Sequence, residues 1–222
     1  MKIYKKENKR VLGRSIEERP EEVDAREDFG HWESDLVIGQ KSGKVEVLLT
    51  LLERKTRDIS ITRLPDKSAD SVLAAFQKMQ SELGDYFGKV FRTITTDNGP
   101  EFARLAKLET GTDTNVYFIH PYTSCEKRSI ENHNSLIRCF IPEGKRISDY
   151  SDDDILTVEL WANRLPRKVL DYKTSDEAFE AEISPAPTAK IPIERSMKTA
   201  RTGNLALNDK KYTPAVYAKK PP

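Results

Sequence analysis

From Trp32 onward the chain alternates with a period of two. Trp32, Ser34, Leu36 and Ile38 interleave with Glu33, Asp35 and Val37, the pattern of a strand with two different faces. Gln40 to Lys44 reads as a tight turn, Val45 to Glu53 as a second apolar strand and Thr56 to Leu64 as a third. Three strands joined by short turns predict an antiparallel meander. Behind a capping Asp66 or Ser68, Val72, Leu73, Ala75, Phe76, Met79 and Leu83 recur at helical spacing, and Gly84 and Gly88 mark the end. Phe91 to Asp97 predicts a fourth strand and Asn115 to Ile119 a fifth. Between them Pro100 opens a short helix, since proline suits a first helical turn. A helix from about Lys127 to Phe140 turns Ile130, Ile137 and Phe140 inward, and further helices span about 152–165 and 174–182.

A meander followed by alternating strand and helix gives an α/β class: a mixed five-stranded sheet flanked by helices, in the order of a ribonuclease-H-like fold. Residues 1–28 are polar and charged and read as an N-terminal arm, residues 29–183 as one core, and residues 184–222 as a basic tail. The tail holds half of the twelve prolines and no apolar period, so it is expected to be flexible.

The net charge of +1 conceals an asymmetry. Residues 1–20 carry seven Lys and Arg against three Glu, and residues 185–222 carry eight against two acids, so the middle is acidic. Basic ends suit an anionic polymer, although they also serve plain solubility. Two cysteines, Cys125 and Cys139, form neither a disulfide framework nor a zinc spacing, which suits a reducing cytosol. No apolar run approaches the ~20 residues of a membrane span, and the first residues, MKIYKKENKR, lack a signal-peptide segment.

The candidate chemistry lies in three acids. Asp35 is in the first predicted strand, Asp97 ends the fourth, and Glu131 is in the first turn of a late helix. Parallel pairing of the first and fourth strands sets the aspartates side by side, and a helix over that edge can supply the glutamate. Such carboxylates repel unless a cation lies between them. Mg²⁺ takes oxygen ligands of this kind, and two ions about 3.5–4 Å apart can act on attacking and leaving oxygens together. Singly, each acid has an ordinary explanation: a surface Asp, an Asp-Asn-Gly turn, an acid at a helix start. Asn134, Ser135 and Arg138 share the helix face of Glu131, and an amide and a guanidinium there suit a site that meets phosphate.

Gly30-His31-Trp32-Glu33-Ser34-Asp35 resembles the opening of the catalytic core in the insertion-sequence thirty family of bacterial transposases, integrase cores of the DDE type. Thr96-Asp97-Asn98-Gly99-Pro100-Glu101-Phe102 is similar to its second motif. Pro121-Tyr122-Thr123-Ser124, Ile130-Glu131-Asn132-His133-Asn134 and Leu136-Ile137-Arg138 resemble its third. Asn163-Arg164, Pro166-Arg167-Lys168-Val169-Leu170 and Tyr172-Lys173-Thr174 resemble its closing one. Between the acids lie 61 and then 33 residues, the second gap being one that these enzymes share, and the likeness covers roughly residues 15–182.

The resemblance implies an integrase-type catalytic core over 29–183, a ribonuclease-H-like fold and Mg²⁺ or Mn²⁺, two ions, on Asp35, Asp97 and Glu131. It implies cleavage and joining of DNA by freeing a 3′-hydroxyl that attacks a target phosphate, work done mostly by positioning and charge. Expected partners are transposon-end and target DNA and further copies of the chain. The expected setting is the bacterial cytoplasm, at the nucleoid, with no membrane. Ser135, Leu165 and Asp171 stand where the family has Gly, Arg and Gly, and the family's helix-turn-helix has no counterpart in these residues.

Lys127, Arg128, Asn134 and Arg138 are candidates for the DNA path, with Arg164, Arg167 and Lys168 as further phosphate contacts. His31 and His133 do not fit a zinc finger, and Trp32 reads as packing. Two other functions remain open on the sequence: a nuclease of the same fold that cuts without joining, and a transposase remnant that binds DNA or a partner without catalysis.

Overall fold

A computed structural model describes residues 12–40, 45–120 and 128–183. Six strands, β1 (Arg14–Ser15), β2 (His31–Ile38), β3 (Val47–Glu53), β4 (Ile59–Leu64), β5 (Thr93–Thr96) and β6 (Asn115–Phe118), form one sheet in the order β1-β6-β5-β2-β3-β4. β2, β3 and β4 are the expected antiparallel meander, while β2–β5, β5–β6 and β6–β1 pair in parallel. The mixed sheet follows the expectation but has a sixth strand. Arg14 and Ser15 add to the free edge of β6, opposite Tyr117 and Phe118. A two-residue strand is too short to carry a period, so only the available edge defines it.

Both faces of the sheet are covered, which is why the inner strand β3 is apolar almost throughout and buried at every residue. On one face Trp32, Val47, Leu49, Leu51 and Ile94 pack against Val72, Phe76, Phe87, Phe91 and Phe102, brought by α2 (Ala69–Leu83), α3 (Phe87–Val90) and the segment after β5. The Trp32 indole lies 4.9 Å from the Phe91 ring and donates to the Val90 carbonyl at 2.7 Å, so it is a core residue. On the other face Val37, Leu48, Leu52, Ile59 and Ile61 pack against Ile130, Ile137, Ile155 and Val158 from α4 (Arg128–Arg138) and α5 (Asp152–Asn163). Before β2 lies the short α1 (Glu22–Ala25), and α6 (Ser175–Ile183) brings Phe179 to the first face.

Two local readings change. The segment after Pro100 forms 3₁₀ turns, Pro100–Phe102 and Leu105–Glu109, rather than an α-helix. Its buried residues are Phe102, Leu105 and Leu108, a spacing of three that matches the three residues per turn of a 3₁₀-helix. The third strand begins at Ile59 rather than Thr56. The Glu53 carboxylate accepts from the Thr56 amide at 2.6 Å and hydroxyl at 2.9 Å, and Arg57 adopts a φ of 63°. The chain there is a tight turn, not an extension of the ladder.

The outer edge of β4 is closed by α5. Asn163, fully buried, accepts from the Ile59 amide at 2.9 Å and donates to its carbonyl at 2.8 Å, and Glu159 accepts from the Ile61 amide at 2.6 Å. Side chains thus satisfy backbone groups that an unpaired edge would leave exposed.

Candidate active site

β2 and β5 run in parallel with Glu33 opposite Thr95. That is the last pair of the ladder, and Asp35 and Asp97 each lie two residues beyond it on their own chain. Period-two alternation turns Glu33, Asp35 and Val37 to the face covered by α4 and α5. Asp97 follows the last residue of β5, and its Oδ1 accepts from the Gly99 amide at 3.0 Å, the local bond of an Asp-headed turn. Gly99 is extended, with φ −76°, so no left-handed backbone calls for it. A Cβ there would stand 2.9 Å from Asp97 Oδ1 and 2.7 Å from Glu101 Oε2. The N-terminal arm braces the same turn, since the Leu12 amide donates to Asn98 Oδ1 at 2.9 Å.

α4 lies across β2. Its Asn134 donates from Nδ2 to Asp35 Oδ2 at 2.8 Å, and one turn later Arg138 donates to the Ile38 carbonyl at 2.7 Å. Glu131 lies one turn before Asn134, on the same helix, and is exposed. The structure therefore joins Asp35 to Asn134 directly and carries Glu131 on the same helix as Asn134, while the described bond of Asp97 is within its own turn. Among the described residues no group of three His, Cys, Asp or Glu side chains is gathered as a metal site.

The expected cations divide. Arg164 is half exposed and 3.8 Å from Asp176, and Lys168 is exposed. Arg167 points inward: Nε donates to Ser175 Oγ at 2.8 Å and Nη2 to the Ala162 carbonyl at 3.0 Å. Its fork is committed to joining the end of α5 to the start of α6, which leaves it poorly placed to meet a phosphate. The Arg138 fork is likewise turned to the end of β2. Lys127 lies outside the described residues, as do the side chain of Arg128, Cys125, and the expected turn at 41–44 and tail from 184.

The sequence reading did not assign a buried ionic cluster beneath the start of α4. Glu33 is fully buried between β2 and α4. Its Oε1 accepts from Arg54 at 2.6 Å and its Oε2 from the Ile130 amide at 2.9 Å. Arg54, also buried, donates to Asp24 at 3.1 Å and to the Val23 carbonyl at 3.2 Å, fastening α1 to the sheet. Arg57 donates to Ser129 Oγ at 3.2 Å. The available signals were a charge on the inward face of β2 and two adjacent charges, Glu53 and Arg54, closing an apolar strand.

Burial, with the nearby Arg26 charge, lowers the Arg57 guanidinium to about 10, so it stays cationic at neutral pH. Burial also holds His133 down at about 4. The imidazole is therefore neutral, with Nδ1 donating to the Ser129 carbonyl at 2.8 Å. His31, at the start of β2, is buried with Nδ1 2.9 Å from Thr93 Oγ1. Its pKa is lowered by burial first and by Arg92 next.

A histidine with a lowered folded pKa binds its proton more readily when unfolded. Its stabilising contribution is therefore present above the unfolded value of 6.5 and is lost as pH falls from there toward the folded value. Urea unfolding midpoints between pH 7.5 and 5 are expected to fall with pH, and to fall less steeply in His31→Gln. Equal slopes in the two proteins would remove His31 from the pH response.

A family model described as the integrase core domain matches residues 25–124. The chain is 38% identical over 174 residues to a Streptococcus salivarius protein named as the probable transposase for the insertion-like sequence element IS1161, covering 78% of this chain and 48% of that one. It is 34% identical over 178 residues to the transposase InsI for insertion sequence element IS30A of Escherichia coli strain K12, covering 78% and 44%. The chain thus spans about half the length of the curated relatives it matches. Among solved structures it matches a chain of the simian T-cell lymphotropic virus intasome in complex with the PP2A regulatory subunit B56 gamma. That match has a TM-score of 0.51 and 20% identity and covers 72% of this chain and 56% of that one. It is a likeness of fold, in agreement with the ribonuclease-H-like expectation.

Proposed function

Residues 25–124 belong to the integrase core domain family, in a chain related over most of its length to transposases of IS30-type insertion sequences, and from that premise we propose that the protein is the catalytic core of a DNA transposase, cutting DNA and joining a freed 3′-hydroxyl to a target strand. The observation that supports this most directly is the parallel pairing of β2 and β5, whose last pair, Glu33 and Thr95, lies two residues before Asp35 and Asp97, under a helix that bears Glu131 and is bonded to Asp35 through Asn134. Two carboxylates on neighbouring strands are hard oxygen donors of the kind a divalent cation takes.

In this reading Asp35, Asp97 and Glu131 hold two Mg²⁺ or Mn²⁺ ions. When bound, the ions supply Lewis acidity toward the scissile phosphate and activation of the attacking oxygen. Asn134 fixes the Asp35 carboxylate by holding Oδ2. The Gly99 amide orients Asp97 by holding Oδ1. Glu131, exposed at the start of α4, closes the set by moving its own side chain over the sheet edge. Exposed Arg164 and Lys168 meet the phosphate backbone, together with Lys127 and Arg128, and copies of the chain assemble on the DNA. No helix among the described residues is long and apolar enough to cross a membrane; we place the activity in the cytoplasm, at the nucleoid.

The test uses a branched DNA in which a 3′-hydroxyl already lies beside the target phosphate, so that no separate end-reading module is needed. The chain is expected to yield joined strands in Mg²⁺ or Mn²⁺ and none with a chelator. Cut strands without joined ones would mark a hydrolytic nuclease. Tight binding with no products would mark a non-catalytic remnant. Either result overturns the proposal.

A further inference from the structure

We propose that Glu33 is a positioning residue that pins the first turn of α4 to β2 and thereby sets where Glu131 stands over Asp35. This rests on the reading of Asp35, Asp97 and Glu131 as the metal-binding set. Glu33 and Asp35 lie two apart on the same face of β2. Ile130 and Asn134 lie four apart on the facing side of α4. Glu33 Oε2 takes the Ile130 amide at 2.9 Å, and Asp35 Oδ2 takes the Asn134 amide at 2.8 Å.

Two residues of strand advance about 6.6 Å and four residues of helix about 6 Å, so the two bonds match rung for rung. Together they define both the height and the rotation of α4 on the sheet. Glu131 is the next residue after Ile130, so the Glu33 bond locates its backbone relative to the sheet, whereas the Ser135 hydroxyl that donates to the Glu131 carbonyl at 3.0 Å only ties it within the helix. Arg57 steadies the same turn from the other side through Ser129 Oγ, at 3.2 Å.

The chemistry explains why a carboxylate is needed. Ile130 is in the first turn of α4, where an amide has no carbonyl within the helix to bond. Glu33 has two acceptor oxygens. One receives Arg54 at 2.6 Å, and the other is left for that amide. A buried ion pair is a weak source of stability compared with apolar packing, and the better-attested use of such groups is to define register. The Glu33–Arg54 pair is here attached to the one helix whose register decides the geometry of the candidate site.

The test compares the full chain with Glu33→Gln and with the charge-free double variant Glu33→Leu/Arg54→Met. Glutamine has a single acceptor oxygen, which Arg54 takes, and leucine has none. In both variants amide exchange at Ser129 to Glu131 is expected to quicken at least about tenfold relative to the rest of α4. The Mg²⁺ concentration giving half-maximal strand transfer is expected to rise about 10–100-fold, with the rate at saturating Mg²⁺ affected much less. The rise in melting temperature that Mg²⁺ gives the protein without DNA shrinks in parallel. If Glu33→Gln fails to fold, the double variant carries the comparison.

Unchanged exchange at the start of α4, or an unchanged Mg²⁺ requirement, in a folded variant would reduce Glu33 to a charge partner of Arg54 and overturn the proposal. A wild-type protein with no metal-dependent joining and no Mg²⁺ stabilisation would overturn the function instead. The exchange experiment would then still decide whether Glu33 pins the helix.

Discussion

Asp97→Asn is expected to abolish metal-dependent strand transfer, a loss on the order of 10³-fold or more, while leaving the fold intact. The substitution keeps size and shape. Asp97 is only half buried, and one of its structural contacts is the bond that Oδ1 accepts from the Gly99 amide at 3.0 Å. An asparagine oxygen accepts the same bond, since Asn heads such turns as readily as Asp. What disappears is the negative charge beside Asp35, the property that a divalent ion needs and that the turn does not. The rate of joined-product formation, measured alongside urea unfolding, separates the two effects. Activity within a few-fold of wild type would remove Asp97 from the metal-binding set, whatever happened to stability. A matching loss of both would show that the residue serves the fold.

Arg54→Met carries the largest expected cost in stability, about 3–5 kcal/mol, because it breaks one side of a buried pair. The Arg54 side chain is 3% exposed and the Glu33 side chain 1%, so neither has water to turn to. Methionine fills the space of the stem and removes every donor. Glu33 would keep the Ile130 amide at 2.9 Å but lose its hydrogen-bonded counter-charge, leaving the Arg57 guanidinium as its nearby cation. The Val23 carbonyl would lose a donor at 3.2 Å, and α1 its bridge through Asp24 to the sheet. Equilibrium urea unfolding reads the effect directly. Adding Glu33→Leu is expected to recover most of the loss, because the orphaned charge goes with it. A cost below about 1 kcal/mol for Arg54→Met alone would mean that water reaches Glu33 and that the cluster is not closed.

The two experiments divide the site along a physical line. Asp97 has a charge that its turn bond to Gly99 does not require and the proposed chemistry does. Arg54 has a charge that the fold requires and that never meets substrate. Glu33 stands between them: it is held in place as part of the buried cluster and in turn holds the helix of Glu131. A wholly apolar contact in its place would satisfy burial but leave the first turn of α4 without its bond to β2, the rest of the helix still held by Asn134 and Arg138.

Much of this was legible along the chain. The alternation from Trp32 to Ile38 specified a two-faced strand, and the apolar run around Val47 to Leu52 specified its fully covered neighbour. Ser68 was placed to cap α2 and does so, accepting from the Ser71 amide at 3.2 Å. Even the 3₁₀ turns were written in the spacing of Phe102, Leu105 and Leu108, although an α-helix was the expectation. Period, capping and turn chemistry are local properties, so neighbouring residues reveal them. The parallel pairing of the strands that carry Asp35 and lead to Asp97 was expected as well, and β2 and β5 pair in that sense.

The polar interior was not legible, because each of its bonds joins segments far apart in the chain. Glu33 meets the Ile130 amide 97 residues away, and Asn163 meets Ile59 across 104. A glutamate in an alternating strand and an asparagine ending a helix have the same local signature whether they face solvent or close a buried network. Arg167 shows the same limit from the other side: a cation in a basic motif read as a phosphate contact, yet its fork joins Ala162 to Ser175. The residues by themselves thus determined the elements, their inward faces and which acids stood at strand ends. Only the tertiary structure decided which buried charges meet, because a buried polar group must find its partner wherever the folded chain happens to bring one.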